Sequence, residues 1–472
     1  MRQKLLAAVA ATFALSACVN TADTASTQKQ LPATPKNIIM IVADGMGPAY
    51  TTAYRNFRDN PDTPEVERVV LDNIFVGNAS TYPDLVSGFV TDSAASATAL
   101  ASGVKSYNGA IGVDKNKKPV TSILQRAKQL GMRTGVAVTS QIVHATPASY
   151  VAHNESRQNY NELADSFFDD RINGQFVADV MLGGGTRYFE REDRNVTAEF
   201  IDAGYAYVDT YNKLATLPAG ENVLGLFAEV GLPWALDDLR KNRLAYLTEH
   251  AIKHLENDKG FFLLVEASQV DWAGHSNDIA AAMAEMHDLN LALEYLVSYV
   301  EEHPDTLVVL TADHSTGGLT IGARGEYRWA PEWLHKLKQS PVTIAQNMTK
   351  ADSPAAYVSE ALGFKLNDEE SSQVTELAKQ ADLEARFDGI KALLDIRSNT
   401  GWTTTGHTGV DVEVFAFGAG SSQFYGQYDN TDIAKKLFGL LPKSAPAVKT
   451  LTKTVSKEEK SQCDFETDWR CE

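Results

Sequence analysis

The sequence predicts an α/β fold, a central, largely parallel β-sheet with helices on both faces, carrying an inserted cap or crown subdomain. Three observations point to it. Short, continuously apolar runs at Ile38–Val42, Phe261–Val265 and Leu307–Leu310 read as strands buried on both faces, as in parallel sheets. Amphipathic stretches such as Thr121–Leu130, ended by Gly131 and followed by the apolar run Thr134–Thr139, give a βα alternation. Ninety-two residues then separate His314 from His407, too many for a loop, and they include helical stretches such as Ser371–Leu394. The chain divides accordingly into a leader (1–17), a tether (18–36), a main α/β domain (37–318 and 404–445), the insert (319–403) and a tail (446–472).

The leader opens with Arg2 and Lys4, continues through the apolar run Leu5–Leu15 and ends in Ser16-Ala17-Cys18. This is a secretory signal, too short to span a bilayer. Leu15-Ser16-Ala17-Cys18 resembles a lipoprotein processing site, which would make Cys18 the lipid-bearing first residue; plain cleavage after Ala17 is the other reading. Val19, rather than Asp, after that cysteine suits export through the periplasm to an outer membrane. Asn20–Lys36, rich in Thr, Ser, Gln and Pro, reads as a flexible tether. The other cysteines, Cys463 and Cys471, form a short-loop disulfide in an oxidising compartment or remain two thiols on a tail. A net charge of -18 argues against a nucleic-acid partner and suits a protein holding several divalent cations.

Asn37–Gly47, NIIMIVADGMG, ends its strand in Asp44, at the edge of a sheet where α/β proteins bind ligands. Taken alone, Asp44 could simply cap the turn. In Thr91–Gly103, Asp92 and Ser93 precede a run of small residues able to form a closely packed helix, whose free amino-terminal N–H groups favour anions. Ser93 is a plain N-cap or a nucleophile; no His adjoins it, so a metal would have to activate it. Pro147 fits the first turn of a helix expected to carry Arg157 some turns later. Thr146 then offers a hard oxygen ligand and Arg157 a bidentate phosphate clamp, unless these are a helix start and a surface Arg.

Val177–Gly185 reads as a further strand into a glycine turn. The helix expected over Leu239–Glu256 carries His250 and His254, four residues apart among charged neighbours, which favours a solvated face over a zinc pair. Phe261–Val265 ends at Glu266, and Asp271-x-x-x-His275 has the spacing that brings a carboxylate and an imidazole to one helix face. The run Thr306–Thr311 leads to Asp313-His314, and Gly406-His407-Thr408-Gly409 sets another His before the strand Val412–Gly418. Asp44, Glu266 and Asp313 thus all lie at or just beyond strand carboxyl ends, which packing does not explain. His275, His314 and His407 with carboxylates suit zinc, whereas Asp44, Thr146 and Glu266 form an all-oxygen set suited to magnesium.

At these residues the chain resembles the alkaline phosphatase family. The likeness rests on VADGMG (42–47, with Ala43 and Asp44), TDSAASATALASG (91–103), ATPAS with the later Arg157, VEAS with Asp271 and His275, TADH (311–314) and GHTG (406–409). It implies Ser93 as a nucleophile forming a phosphoseryl intermediate, and Arg157 holding two phosphate oxygens. It implies one zinc on Asp271, His275 and His407, a second on Asp44, Asp313 and His314, and magnesium on Asp44, Thr146 and Glu266. Two metals about 4 Å apart can clamp the attacking and leaving oxygens of an in-line displacement. His144 and Trp272 stand where the best-known bacterial pattern has Asp and Lys. His144, beside the magnesium set, could draw in a third zinc. Trp272, at a phosphate-binding position, offers no cation to phosphate. The resemblance further implies a homodimer acting on small phosphomonoesters. A phosphodiesterase, sulfatase or phosphomutase of the same superfamily, and a lipoprotein that merely stores zinc or captures phosphate, are the other readings.

Overall fold

The structure is a computed structural model and describes residues 33–443. The leader, most of the tether, Cys18, Cys463 and Cys471 lie outside the described residues. Ten strands form the main sheet: β1 (Asn37–Val42), β2 (Phe75–Ser80), β3 (Arg133–Gln141), β4 (Val180–Gly184), β5 (Ala206–Val208), β6 (Val223–Leu226), β7 (Phe261–Glu266), β8 (Thr306–Thr311), β9 (Val412–Gly418) and β10 (Gly426–Asp429). Their order across the sheet is β10-β2-β9-β8-β1-β7-β3-β4-β6-β5. β9 runs antiparallel to both of its neighbours, and the other pairings are parallel. The three apolar runs that predicted the fold are thus its adjacent central strands, with every residue of β1, β7 and β8 buried.

Register is what turns this sheet into a site. Val42 stands abreast of Glu266 on one side and Thr311 on the other. Asp44 and Asp313, each two residues further on, therefore leave the sheet at one level, two residues beyond that of Glu266. Helices cover both faces. Arg243–Leu255 and Ile279–Glu302 pack together on one face, and Ser93–Ser102, Ile123–Gln129 and Ala145–Val151 on the other. Among the described residues no helix is long and apolar enough to cross a membrane.

Several expected boundaries shift. The strand read at 134–139 extends to Arg133–Gln141, that at 177–185 shortens to Val180–Gly184, and the helix over 239–256 begins only at Arg243. His250 and His254 are buried rather than solvated. The charged residues that suggested an exposed face are local neighbours in sequence, while the His side of the helix packs inward. His250 Nδ1 bonds to the Tyr246 carbonyl 2.9 Å away, so its polarity is met within the helix. Burial pushes His254 down to about 4.

Near the two ends of the segment 319–403, Thr320–Ile321 pairs antiparallel with Thr400–Gly401. The helical stretch expected at 371–394 is two helices, Asp368–Leu377 and Leu383–Ser398, the second N-capped by the Asp382 side chain. Lys391 of the second helix donates to the Ser276 carbonyl, immediately after His275. Ser340 donates to Asp237 through both its backbone N–H and its hydroxyl.

Candidate metal centre

Asp92 ends its extended segment by accepting from Ala95 N–H at 2.9 Å, which caps the Ser93–Ser102 helix and leaves Ser93 at its first turn. Ser93 is buried, with Oγ 3.1 Å from His314 Nε2. The other Asp92 oxygen accepts from Gly109 N–H and from Arg157 Nη1 at 3.2 Å. Arg157 is not on the helix that begins at Ala145. That helix ends at Val151, and Arg157 follows in a loop fixed by its N–H bond to Gly109 and by the bridge between Ile111 and Asn154. Its second arm, Nη2, lies 3.2 Å from His144 Nε2. A cavity of about 670 Å3 opens here, lined by Thr91, Asp92, Asn108, Gly109, Arg157 and His407 among others.

Below that floor the side chains singled out in the sequence meet in three groups. Asp271, His275 and His407 bring ligand-type atoms within 4.8 Å of one another, as do Asp44, Asp313 and His314, and Asp44, His144 and Glu266. Asp44 belongs to two of them. Thr146, in the first turn of its helix, faces Glu266, which also accepts from Ser140 and Ser268. The helix Gln269–His275 puts His275 Nε2 3.3 Å from Asp271 Oδ2. His407 reaches the site on the short strand His407–Thr408, paired with Ser315–Thr316, and its ring stacks on His314 with centroids 3.6 Å apart. Gly45 has a φ of +74, and a Cβ there would lie 2.6 Å from Asp271 Cα, so only glycine lets the two segments approach.

These groups fit cations. Neither oxygen of Asp44, nor Glu266 Oε1, nor Asp313 Oδ2 receives a hydrogen bond. Burial, then the facing carboxylates of Asp313, Asp271 and Glu266, pushes Asp44 well above the usual carboxylate range. Burial raises Glu266 to about 7 against its hydrogen bonds, and burial with the charge of Asp271 raises Asp313 to about 8. Carboxyls packed this way ionise together only beside compensating positive charge. The imidazoles are oriented to match. His275 Nδ1 is 2.6 Å from the Thr405 carbonyl and His407 Nδ1 is 2.9 Å from the Thr91 carbonyl, so each donates its N–H outward. Their Nε2 lone pairs then face each other at 3.1 Å, an arrangement that invites a shared cation.

A family model described as Alkaline phosphatase matches residues 35–442. The chain belongs to the alkaline phosphatase family. It is accordingly a phosphomonoesterase of a metal-dependent family. "Alkaline phosphatase 4" of Bacillus subtilis is 45% identical over 421 residues, covering 88% of this chain and 91% of that protein. A cold-active alkaline phosphatase from the psychrophile Shewanella sp. is 52% identical in a structural match with a TM-score of 0.82, covering 86% of this chain and 100% of its own. An alkaline phosphatase variant from TAB5, with a histidine replaced by aspartate and Mg bound in the M3 site, is 27% identical with a TM-score of 0.65, covering 87% and 99%.

Within this family member, sequence spacing missed the supporting polar groups. In sequence Asp92 stands out only as the neighbour of Ser93, not as the holder of Arg157. Ser140 and Ser268 on Glu266, and Thr316 between Asp271 and His314, are common polar residues whose partners lie far along the chain. Trp272 is buried, edge-on to His144 with centroids 5.9 Å apart at 81°.

Proposed function

We propose that the chain hydrolyses phosphate monoesters to an alcohol and inorganic phosphate through a phosphoserine on Ser93, using two zinc ions and one magnesium. The observation that carries this is the position of Ser93 Oγ, 3.1 Å from His314 Nε2 at the edge of the carboxylate and imidazole groups, with the Arg157 guanidinium nearby on Asp92. Asp271, His275 and His407 would hold one zinc, Asp44, Asp313 and His314 the other. Asp44, Thr146 and Glu266 would hold magnesium, with His144 beside it and a third zinc as the alternative occupant. Bound there, the cations supply Lewis-acid stabilisation of the attacking and leaving oxygens.

The chain's own residues do the rest. Arg157, pre-aligned by Asp92, would grip two non-bridging oxygens and leave a third for the cation groups, and only a monoester carries three. The amino terminus of the Ser93–Ser102 helix faces the transferring phosphoryl with its dipole, and Ser93 attacks it in line. Positioning and electrostatics carry most of the rate. We further propose that the chain is exported, anchored by lipid on Cys18, and dimeric, with residues 319–403 as a cap beside the site. Labelled fatty acid incorporated by wild type and not by Cys18→Ala tests the anchor.

The deciding assay is hydrolysis of p-nitrophenyl phosphate beside its bis-ester at alkaline pH, with chelated and metal-restored protein and with Ser93→Ala. Monoester activity alone, lost on chelation and reduced by several orders of magnitude in the variant, is expected. Preference for the diester would assign the chain to the phosphodiesterase branch, and zinc binding without turnover would leave a binding protein.

A further inference from the structure

We infer that Thr316 is a positioning residue that ties the two zinc groups together and sets the tautomer of His314. The inference rests on the ligand sets proposed above. Thr316 is fully buried, and its backbone and side chain touch four segments of the site. Its N–H donates to the Gly45 carbonyl at 3.1 Å, next to Asp44. Its carbonyl accepts from Tyr50 Oη at 2.8 Å. In the short ladder it pairs with His407. Its hydroxyl is shared between one side chain from each zinc group: Oγ1 donates to Asp271 Oδ1 and lies 3.2 Å from His314 Nδ1.

Proton counting decides the roles. A hydroxyl carries one proton and can accept as well as donate. An ionised carboxylate only accepts, so the Thr316 proton goes to Asp271. The contact with His314 must then run the other way, Nδ1–H donating to Oγ1. That fixes the His314 proton on Nδ1 and leaves the Nε2 lone pair facing Ser93 Oγ, Asp44 Oδ1 at 3.4 Å and Asp313 Oδ2 at 3.3 Å. The other two imidazoles have their Nδ1 protons fixed by backbone carbonyls, which no substitution removes. His314 alone depends on a side chain, and that side chain also holds a ligand of the neighbouring group. Loss of the hydroxyl therefore frees the His314 tautomer and rotates Asp271 out of alignment in one step, weakening both zinc sites together.

The test is competition of the zinc-loaded full-length protein against a chromogenic chelator, resolving the affinity of each ion, in wild type, Thr316→Val and Thr316→Ser. Removing such a supporting group costs about 10- to 100-fold in metal affinity. Thr316→Val is expected to lose that much at both ions, and Thr316→Ser to keep nearly all of it. Wild-type affinity in Thr316→Val overturns the inference, and so does a loss confined to one ion or a serine variant as weak as valine. A wild-type protein with no tightly bound zinc would sink the ligand sets themselves, a different failure. A second readout needs no variant: in zinc-loaded wild type labelled with 15N-histidine, the His314 ring proton should sit on Nδ1 and be protected from exchange. A proton on Nε2, or a freely exchanging one, overturns the inference even if the valine variant does not fold.

Discussion

Trp272 has one edge toward His144 and the other against Gly231, where a Cβ would lie 2.3 Å from the indole ring. Such a side chain fills space and excludes water but brings no charge to an anion. A lysine there would add one charge-assisted contact to product phosphate. Trp272→Lys is therefore expected to tighten phosphate inhibition about tenfold and to slow turnover where product release limits it. Product inhibition of p-nitrophenyl phosphate hydrolysis measures this, and an unchanged inhibition constant rejects it. At this scale the sequence is legible where a residue ends a patterned run. Asp44, Glu266 and Asp313 stand out because each follows an apolar strand. Thr316 and Ser268 do not, since nothing in a local stretch says which carboxylate, on which other strand, a hydroxyl will meet. His250 and His254 misled for the same reason, because the charges around them in sequence are not the groups they face.

Among the elements, the helix beginning at Ala145 shows how a boundary moves a function. It stops at Val151, and the loop that follows is pinned to Gly109 and Ile111, so Arg157 arrives from a non-helical segment that pattern alone extended as helix. A second junction lies between the helices Ile279–Glu302 and Leu383–Ser398. Asp278 caps Ile279–Glu302 through Ala280 and Ala281 N–H, and Asp395 of Leu383–Ser398 accepts from Trp402 Nε1. Burial raises Asp278 to about 6 and Asp395 to about 7, the latter also through the charge of Asp278 and against Arg324 and Lys391. A carboxyl whose folded value is raised keeps a proton that the unfolded chain has already lost. Its stabilising contribution is complete near pH 4 and disappears as pH rises through 7. Asp395→Asn keeps the acceptor for Trp402 and does not titrate. Its advantage over wild type in urea denaturation should be small at pH 5 and grow to about 2 kcal/mol at pH 8, discounted for partial exposure. Equal differences at the two pH values would reject this.

For the molecule as a whole, cations and protons compete for the same buried carboxyls. The histidines of the unfolded chain are half neutral at about pH 6.5 and nearly all neutral by about pH 7.5, so above that the raised carboxyls set the remaining slope. With Glu266 at about 7 and Asp313 at about 8, chelated protein should lose stability between pH 7.5 and 8.5, and zinc- and magnesium-loaded protein should lose less. Calorimetry at both pH values checks this; a chelation penalty independent of pH rejects it. The overall fold was readable because three apolar strands announce a parallel sheet. The order of its strands was not, since pairing depends on contacts that local pattern does not encode.

The register that sets Val42 between Glu266 and Thr311 also bears on how the chain comes to be folded. The ligand-type residues run from Asp44 to His407, and β1 pairs with strands that are synthesised more than two hundred residues later. Small zinc domains can let the ion nucleate their structure. Here no emerging segment holds a complete cation group, so the sheet must close its longest loops unaided. Metal is therefore expected to enter last, as a lock on a topology already chosen, and a slip of one residue in β1 would take Asp44 out of the two groups it belongs to.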